Sequence, residues 1–331
     1  MPKNRQILLK RRPSGMPTLD DFQLVEKERP EPGLGQVLVR NQLLSLDPYM
    51  RGRMDDGKSY MAPVELGQVM TAHTVGEVVT SNDPAFDPGE KVFLTGGWQD
   101  YAIAQAPDVR KINPALPDAA WLGPMGLPGW TAHYGLFELG HPATGETLVV
   151  SSAAGAVGSL VGQLAKAQGL RVVGIAGGPE KCAYVVNELG FDACVDYKVS
   201  EFAARLADAC PNGIDIDFEN VGGDVLNAIW PLLNASARIV VCGLSAHYNL
   251  TKPLPGPDLT KVLKQRVNMR GFIISDHRLH IPKAIGEMAT LVGQGKLTTR
   301  NDITTGLEYA PNAFIGMLQG KNFGKTLVQV A

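Results

Sequence analysis

The stretch Thr147–Gly158 constrains this chain more than any other. A strand-like run, Thr147–Val150, passes through Ser151 and Ser152 into Ala153-Ala154-Gly155-Ala156-Val157-Gly158, and helix-patterned residues follow from Val157 to Gln168. A strand that turns through small residues into a helix gathers bare backbone N–H groups at one point. The turn has the form GxGxxG with Ala in the first place. Gly155 lets the backbone approach a pyrophosphate, and Gly158 lets helix and strand pack closely. The helix start adds unpaired N–H groups and the positive end of its dipole. Alone, such a turn is a weak signal; its surroundings make it strong.

Those surroundings alternate strand and helix. Strands are expected at Thr147–Val150, Arg171–Ala176, Ala193–Val195, Ile214–Phe218, Arg238–Cys242 and Met269–Ile274, with helices at 157–168, 180–189, 201–209, 225–233 and 281–293. Alternation at this spacing predicts a doubly wound parallel sheet. Upstream, Ile7–Leu9, Gln36–Arg40, Val75–Val79, Lys91–Leu94 and Tyr101–Ala104 are short β-like runs separated by Pro and Gly. Asp87-Pro88-Gly89-Glu90 reads as a turn, because Pro presets φ and Gly accepts a positive one. Such spacing favours a barrel or sandwich. Gly306–Tyr309 and Thr326–Val330 return to strand-like runs. The predicted class is α/β: a β-rich domain over 1–122, a Rossmann domain over 123–297, and a segment 298–331 that rejoins the first domain. The 331 residues fit about two domains.

The second strand of the series bears on the cofactor. A chain that binds NAD usually carries Asp or Glu about 20 residues after the glycine turn, for the ribose 2′-hydroxyl. Here the place reads Ala176-Gly177-Gly178-Pro179, followed by Lys181. Two glycines leave room for a 2′-phosphate and the lysine can neutralise it, so NADPH is expected. Taken by itself, Lys181 reads as a solvated charge at a helix start.

Composition removes several classes. Lys and Arg number 31 against 33 Asp and Glu, a net charge of −2, so there is no basic footprint for nucleic acid. The uncharged run between Glu146 and Lys166 is interrupted by Gly155, Gly158 and Gly162 and by Ser151, Ser152 and Gln163, a poor membrane span. The basic N-terminus has no apolar stretch leading to a cleavage site, so no secretory signal is expected, and Ile7–Leu9 reads as a first strand rather than a transit peptide. Cys182, Cys194, Cys210 and Cys242 form no CxxC pair, and a reducing cytosol is the expected compartment.

A β-rich start, a Rossmann series and a β-rich tail resemble the medium-chain dehydrogenase/reductase superfamily. Many of its members bind zinc through Cys and a GHE motif. This chain reads Thr71-Ala72-His73-Thr74-Val75-Gly76, with His73 out of register, and its cysteines all lie in the Rossmann half. No metal site is expected, since a tetrahedral N/S site needs such ligands. His277 and His280 read as ordinary surface histidines, and Asp47 as a turn residue.

A narrower resemblance is carried by Leu46-Asp-Pro-Tyr-Met-Arg-Gly-Arg53, Gly126–Ala132, Ala153–Ser159, Glu219-Asn-Val-Gly-Gly223, Cys242–Asn249 and Gly320-Lys-Asn-Phe-Gly-Lys325. Together these resemble the zinc-independent double-bond reductases, the family of prostaglandin, plant alkenal and bacterial curcumin reductases. The resemblance covers nearly the whole chain and implies a GroES-like, partly open barrel for the β-rich domain and a cytoplasmic homodimer. It matches Ala156, Val157, Gly158 and Ser159, with Gly155, to the pyrophosphate turn. Gly178, Lys181 and Tyr197 match the 2′-phosphate and adenosine contacts. Asn220 ends the fourth strand. Cys242, Gly243, Ser245 and Tyr248, and Phe272, Ile273 and Ile274, match loops beside the nicotinamide. Asn322 matches an amide near it, and Tyr49 and Tyr248 match tyrosines of the substrate cleft. Without the resemblance, packing for Tyr197 and a turn cap for Asn220 stay open as alternatives, and Cys242 reads as a buried, unreactive thiol.

The implied activity is NADPH-dependent reduction of the α,β double bond of an enone or enal. Hydride reaches the β-carbon and charge develops on the carbonyl oxygen. Without metal, that enolate needs hydrogen-bond donors. Tyr248 and Tyr49 are the candidates, with the nicotinamide ribose hydroxyl as a third; a phenol of ordinary pKa about 10 is a protonated donor at pH 7. The alternatives are a quinone reductase of the same superfamily and a catalytically idle NADPH-binding protein.

Overall fold

The computed structural model describes residues 3–330. Seven strands come first: β1 (Lys3–Leu9), β2 (Phe22–Glu28), β3 (Gln36–Ser45), β4 (Thr74–Ser81), β5 (Lys91–Leu94), β6 (Tyr101–Gln105) and β7 (Arg110–Lys111). Six follow at βαβ spacing: β8 (Thr147–Ser151), β9 (Arg171–Ala176), β10 (Ala193–Asp196), β11 (Ile214–Glu219), β12 (Leu233–Val241) and β13 (Asn268–Gly271). The chain ends with β14 (Asn301–Thr305) and β15 (Lys325–Gln329). It divides into two compact units, one of Met1–Leu122 with Asn301–Ala331, the other of Gly123–Arg300.

In the first unit β1 and β2 form an antiparallel pair, and the larger sheet runs β14-β15-β3-β4-β5-β7 with β6 on β3. The predicted turn is present: Gly89 has φ 92°, and the Glu90 N–H donates to the Asp87 carbonyl at 3.3 Å. Trp98, Phe22 and Phe314 form the aromatic centre of one core. Trp98 stacks on Phe22 at 5.6 Å and meets Phe314 edge-on at 5.5 Å. Phe314 lies on the helix Ala310–Leu318, so burial of this ring holds the returning segment in the unit. A buried Phe side chain contributes about 1.5–3 kcal/mol.

In the second unit the sheet order is β10-β9-β8-β11-β12-β13, all parallel. β8 starts both halves of the winding, so the order reverses between β8 and β11. Ligands of such sheets bind at the strands' carboxyl ends beside that reversal. β8 is buried throughout, as expected of a parallel strand covered on both faces.

Three expectations fail. Gly306–Tyr309 is not a strand: Gly306 has φ 104°, which breaks the extended chain, and Leu307–Tyr309 form a 3-10 turn ahead of the helix Ala310–Leu318. The last parallel strand stops at Gly271 instead of running to Ile274, because Phe272 leaves the edge to pack on Tyr134 at 5.5 Å. His277 and His280 are not ordinary surface residues. His277 stacks on Tyr134 at 4.0 Å, and His280 Nε2 lies 2.8 Å from Nδ1 of buried His133, whose Nε2 meets Glu287 at 2.8 Å.

Asp217 breaks the apolar rule of the sheet. It lies within β11, fully buried, and neither oxygen has a hydrogen-bond partner among the described residues. Burial first, and then neighbouring Glu219, push its carboxyl well above the usual range, so it folds as the neutral acid. A raised folded pKa gives stability that is complete below the unfolded pKa and is lost as pH rises toward the folded value. Asp217→Asn removes that titration. Its stability relative to wild type is expected to improve by up to about 1.4 kcal/mol for each pH unit above about 4. Urea unfolding of both proteins at pH 5, 6 and 7 measures this; a difference that does not change with pH would mean that Asp217 folds charged.

Candidate active site

The glycine turn lies where its sequence predicts. Residues Ser152–Val157 leave the end of β8 and the helix Gly158–Ala167 begins at once. Ser152 adopts φ 55°, a left-handed conformation uncommon for a residue with a side chain. That reversal folds the turn tightly. A Cβ at Gly158 would lie 2.4 Å from the Ser152 carbonyl oxygen, and one at Gly155 would lie 2.8 Å from its Oγ. Only glycine fits Gly158 without moving backbone. Ala156 and Val157 are half-buried, and Ser159 is buried in the first helical turn.

The end of β9 carries no carboxylate. Gly178 has φ 100° and precedes the helix Pro179–Asn187. A Cβ there would meet nothing within 4 Å, so the backbone faces open space. Lys181 follows in the first turn of that helix, half-buried. Tyr197 is 43% exposed, and a Cβ at Gly177 would lie 2.9 Å from its ring. It therefore flanks the glycine pair rather than filling a core. The sequence reading missed two neighbours. Asp196 Oδ1 accepts the N–H groups of Gly178 at 2.9 Å and Lys198 at 3.0 Å, which holds this loop. Lys198 adds a second cation, with its Cε 3.0 Å from the same Gly177 position. Its adjacency to Tyr197 was the available signal. Open backbone, two lysines and an aromatic ring fit a phosphorylated adenosine.

At the ends of β11 and β12 the chain makes two loops. Asn220 does cap a turn: its backbone N–H donates to Ser151 Oγ at 2.7 Å, and its Nδ2 donates to the Ser151 carbonyl at 2.8 Å. Cys242 is half-buried, not fully enclosed, and burial followed by Glu219 pushes its thiol up to about 12. Such a thiol is unreactive at neutral pH. Gly243 and Ser245 follow, with Ser245 exposed at the start of a 3-10 turn. Tyr248 folds back over this loop; its hydroxyl oxygen accepts the Leu244 N–H at 3.3 Å and lies 3.0 Å from where a Cβ on Gly243 would stand. That contact uses an oxygen lone pair and not the O–H. Phe272 and Ile273 are half-buried and Ile274 is buried.

Tyr49 and Asn322 belong to the first unit. Tyr49 opens the short helix Tyr49–Gly52 after Pro48 and packs on the Trp98 core. Burial, then Asp47, raises its phenol above the ordinary value, so it stays protonated. Asn322 Nδ2 donates to the Gly324 carbonyl at 2.9 Å, holding its own turn. Asp47 is more than a turn residue. It pairs with Lys325 at 2.5 Å, and both side chains are buried. Ser45 Oγ donates to its other oxygen. His73 stacks on Phe93 at 5.2 Å, and burial lowers its pKa. Among the described residues no three His, Cys, Asp or Glu side chains form a group that could hold a metal ion.

Residues 5–112 match a family model described as the N-terminal domain of oxidoreductase, and residues 156–290 match one described as zinc-binding dehydrogenase. The chain is 50% identical to the NADPH-dependent curcumin reductase of Escherichia coli over 99% of its length and 97% of the relative's. It is 38% identical to the NADP(+)-dependent 2-alkenal reductase of Nicotiana tabacum, over 99% of this chain and 98% of that one. The crystal structure of CurA from Vibrio vulnificus in complex with NADPH superposes with a TM-score of 0.95 at 48% identity, covering 99% of each chain. With its Rossmann sheet, its β-rich unit and full-length identity of this order, the chain belongs to the medium-chain dehydrogenase/reductase family that includes the curcumin, 2-alkenal and prostaglandin reductases.

Proposed function

We propose that this protein is an NADPH-dependent reductase of the α,β carbon–carbon double bond of enones and enals. The observation that carries this reading is 50% identity across 99% of the chain to a curcumin reductase. The carboxylate-free end of β9, open at Gly178 and flanked by Lys181, Tyr197 and Lys198, supports the choice of cofactor. Bound NADPH supplies a hydride to the β-carbon. Gly155–Ser159 take the pyrophosphate on backbone N–H groups. Asn220, the loop Cys242–Tyr248, Phe272–Ile274 and Asn322 set the position of the nicotinamide half. Tyr248 and Tyr49 donate to the oxygen on which enolate charge develops. Comparing NADPH oxidation with trans-2-alkenals, with quinones and with no acceptor tests the reading. With an enone and NADPH deuterated on its reactive face, label is expected on the β-carbon alone. Label on the carbonyl carbon would make the protein a carbonyl reductase, and turnover of quinones only would make it a quinone reductase.

Lys181 sets cofactor preference in this reading. A charge-assisted hydrogen bond contributes roughly 1.5–3 kcal/mol. Lys181→Ala is therefore expected to raise the NADPH KM about ten- to a hundredfold and to leave the NADH KM nearly unchanged, since NADH has no 2′-phosphate. Equal losses with both cofactors would assign Lys181 to the fold. Lys198 is the second contact to the same group.

The finer points rest on separate observations. The reaction is metal-free in this reading, because His73 is out of register for a zinc ligand and the cysteines lie elsewhere. Exhaustive chelation is expected to leave activity intact, and loss restored by zinc would overturn that. The protein works in the cytosol as a homodimer. All four residues of β13 are exposed at the edge of the parallel sheet, where a second copy can pair. Its four cysteines are free thiols, which suits a reducing compartment.

A further inference from the structure

Glu219 is the last residue of β11 and is fully buried. Its Oε1 accepts three hydrogen bonds: from Ser151 Oγ at 2.5 Å, from the Val221 N–H at 2.6 Å and from the Gly222 N–H at 3.1 Å. Ser151 is the last residue of β8, directly before the glycine turn, and its Oγ in turn accepts the Asn220 N–H at 2.7 Å. The Glu219 backbone carbonyl accepts the N–H groups of Cys242 at 2.9 Å and Gly243 at 3.1 Å. The next two carbonyls, of Asn220 and Val221, accept the Ser245 N–H at 3.1 Å and the Ala246 N–H at 2.9 Å. One residue thus ties together the carboxyl ends of three adjacent strands, β8, β11 and β12.

This knot lies at the reversal of strand order. On one side is the pyrophosphate turn; on the other is the loop that carries Tyr248. Asn220 is held between them by its backbone N–H and by its side-chain N–H₂, both on Ser151. Its remaining side-chain group, the carboxamide oxygen, therefore has a set direction. A carboxylate that accepts several hydrogen bonds makes bonds about twice as strong as neutral ones. It fixes geometry where a weaker acceptor would leave play. Hydride transfer depends steeply on such placement, since about 1 Å of misplacement costs about 10² in rate.

We propose that Glu219 is a positioning residue for hydride transfer, which acts through Ser151 and Asn220 to lock the glycine turn and the loop after β12 into one frame for the nicotinamide half of NADPH. The proposal rests on the reading of this edge as the nicotinamide site. It assigns Glu219 no contact with cofactor or substrate. Weakening this acceptor should therefore loosen the nicotinamide while leaving the phosphates, which supply most of the binding, in place.

The test uses Glu219→Gln, which keeps shape and one carbonyl acceptor, and Ser151→Ala, which removes the Oγ between Glu219 and the Asn220 N–H but keeps the Asn220 side chain on the Ser151 carbonyl and leaves Glu219 its two backbone donors. Three quantities are measured on the folded proteins: the NADPH Kd by equilibrium dialysis, the fluorescence lifetime of the bound nicotinamide, and kcat with an enal. In both variants the Kd is expected to move less than threefold, the lifetime to shorten and kcat to fall, at least tenfold in Glu219→Gln and less in Ser151→Ala. Unchanged lifetimes and kcat overturn the proposal, whatever happens to the melting temperature, because Glu219 then only supports the fold. A Kd that rises in step with the loss of kcat also overturns it, since Glu219 would then serve binding as such. The lifetime needs no substrate. If wild type binds NADPH but reduces no enal, the proposed activity fails while the lifetimes of the variants still decide the role of Glu219.

Discussion

Lys325→Met is expected to destabilise the protein by about 3–5 kcal/mol, because it leaves a buried carboxylate without its cation. The ammonium of Lys325 donates to the Leu46 carbonyl at 2.8 Å and to Asp47 Oδ1 at 2.5 Å. The two side chains are 5% and 8% exposed, so water cannot replace the lost partner. The pair joins the first residue of β15 to the chain just beyond β3, and thereby holds the segment that carries Tyr49. Asp47→Leu in the same chain removes the stranded charge, and the double variant is expected to recover part of the loss. Ser45, which donates to Asp47, would still lack its acceptor. Urea unfolding of wild type, both single variants and the double variant gives the coupling energy. A loss below about 1 kcal/mol in Lys325→Met, the range of exposed pairs, would show that the site opens to solvent.

The second large effect is on rate. Tyr248→Phe is expected to lower kcat by about 10², the lower part of the range for loss of one oxyanion donor, since Tyr49 or the ribose hydroxyl partly substitutes. The Tyr248 hydroxyl accepts a long hydrogen bond from Leu244, at 3.3 Å, on a half-buried loop. The melting temperature is measured beside kcat, and a parallel fall of both would assign the hydroxyl to the fold. Tyr49→Phe is expected to act more on the KM for the enal, because Tyr49 lies on a short helix next to the buried Asp47–Lys325 pair and is set by packing. Full kcat in both variants on a good enal would make the tyrosines packing residues. Steady-state kinetics with a saturating enal, beside NADPH binding by each variant, separates these outcomes.

Much of the second unit was legible in the sequence. Parallel strands buried on both faces read as short apolar runs, and each βαβ unit is local in the chain, so 147–293 declares its alternation of strand and helix through spacing alone. The glycine turn was legible for the same reason: the small residues, the strand before them and the helix after them are contiguous. The end of β9 was legible through an absence, the missing carboxylate. Part of the tail was not legible: Thr326–Val330 coincides with β15, but Gly306–Tyr309 is not a strand and 310–318 carried no helical signal. The helix Ala310–Leu318 contains Pro311, Asn312 and Gly316, a poor helical composition, and forms because Phe314 is buried against Trp98 and Phe22, which lie more than two hundred residues earlier.

The buried and half-buried polar groups divide the same way. From the sequence, Glu219 is an acid beside Asn220, Lys325 the end of a glycine-rich motif, Asp47 a turn residue and His280 a surface histidine. Each takes its role from a partner remote in the chain: Ser151 for Glu219, Asp47 for Lys325 and His133 for His280. Burying a charge or hydrogen-bonding group is costly unless its partner stands within about 3 Å, and no local pattern encodes that distance. The sequence by itself determined the parallel βαβ series, the glycine turn and the family. Only the tertiary structure decided which polar side chains are buried and what they hold, because that depends on strands and helices meeting across the fold.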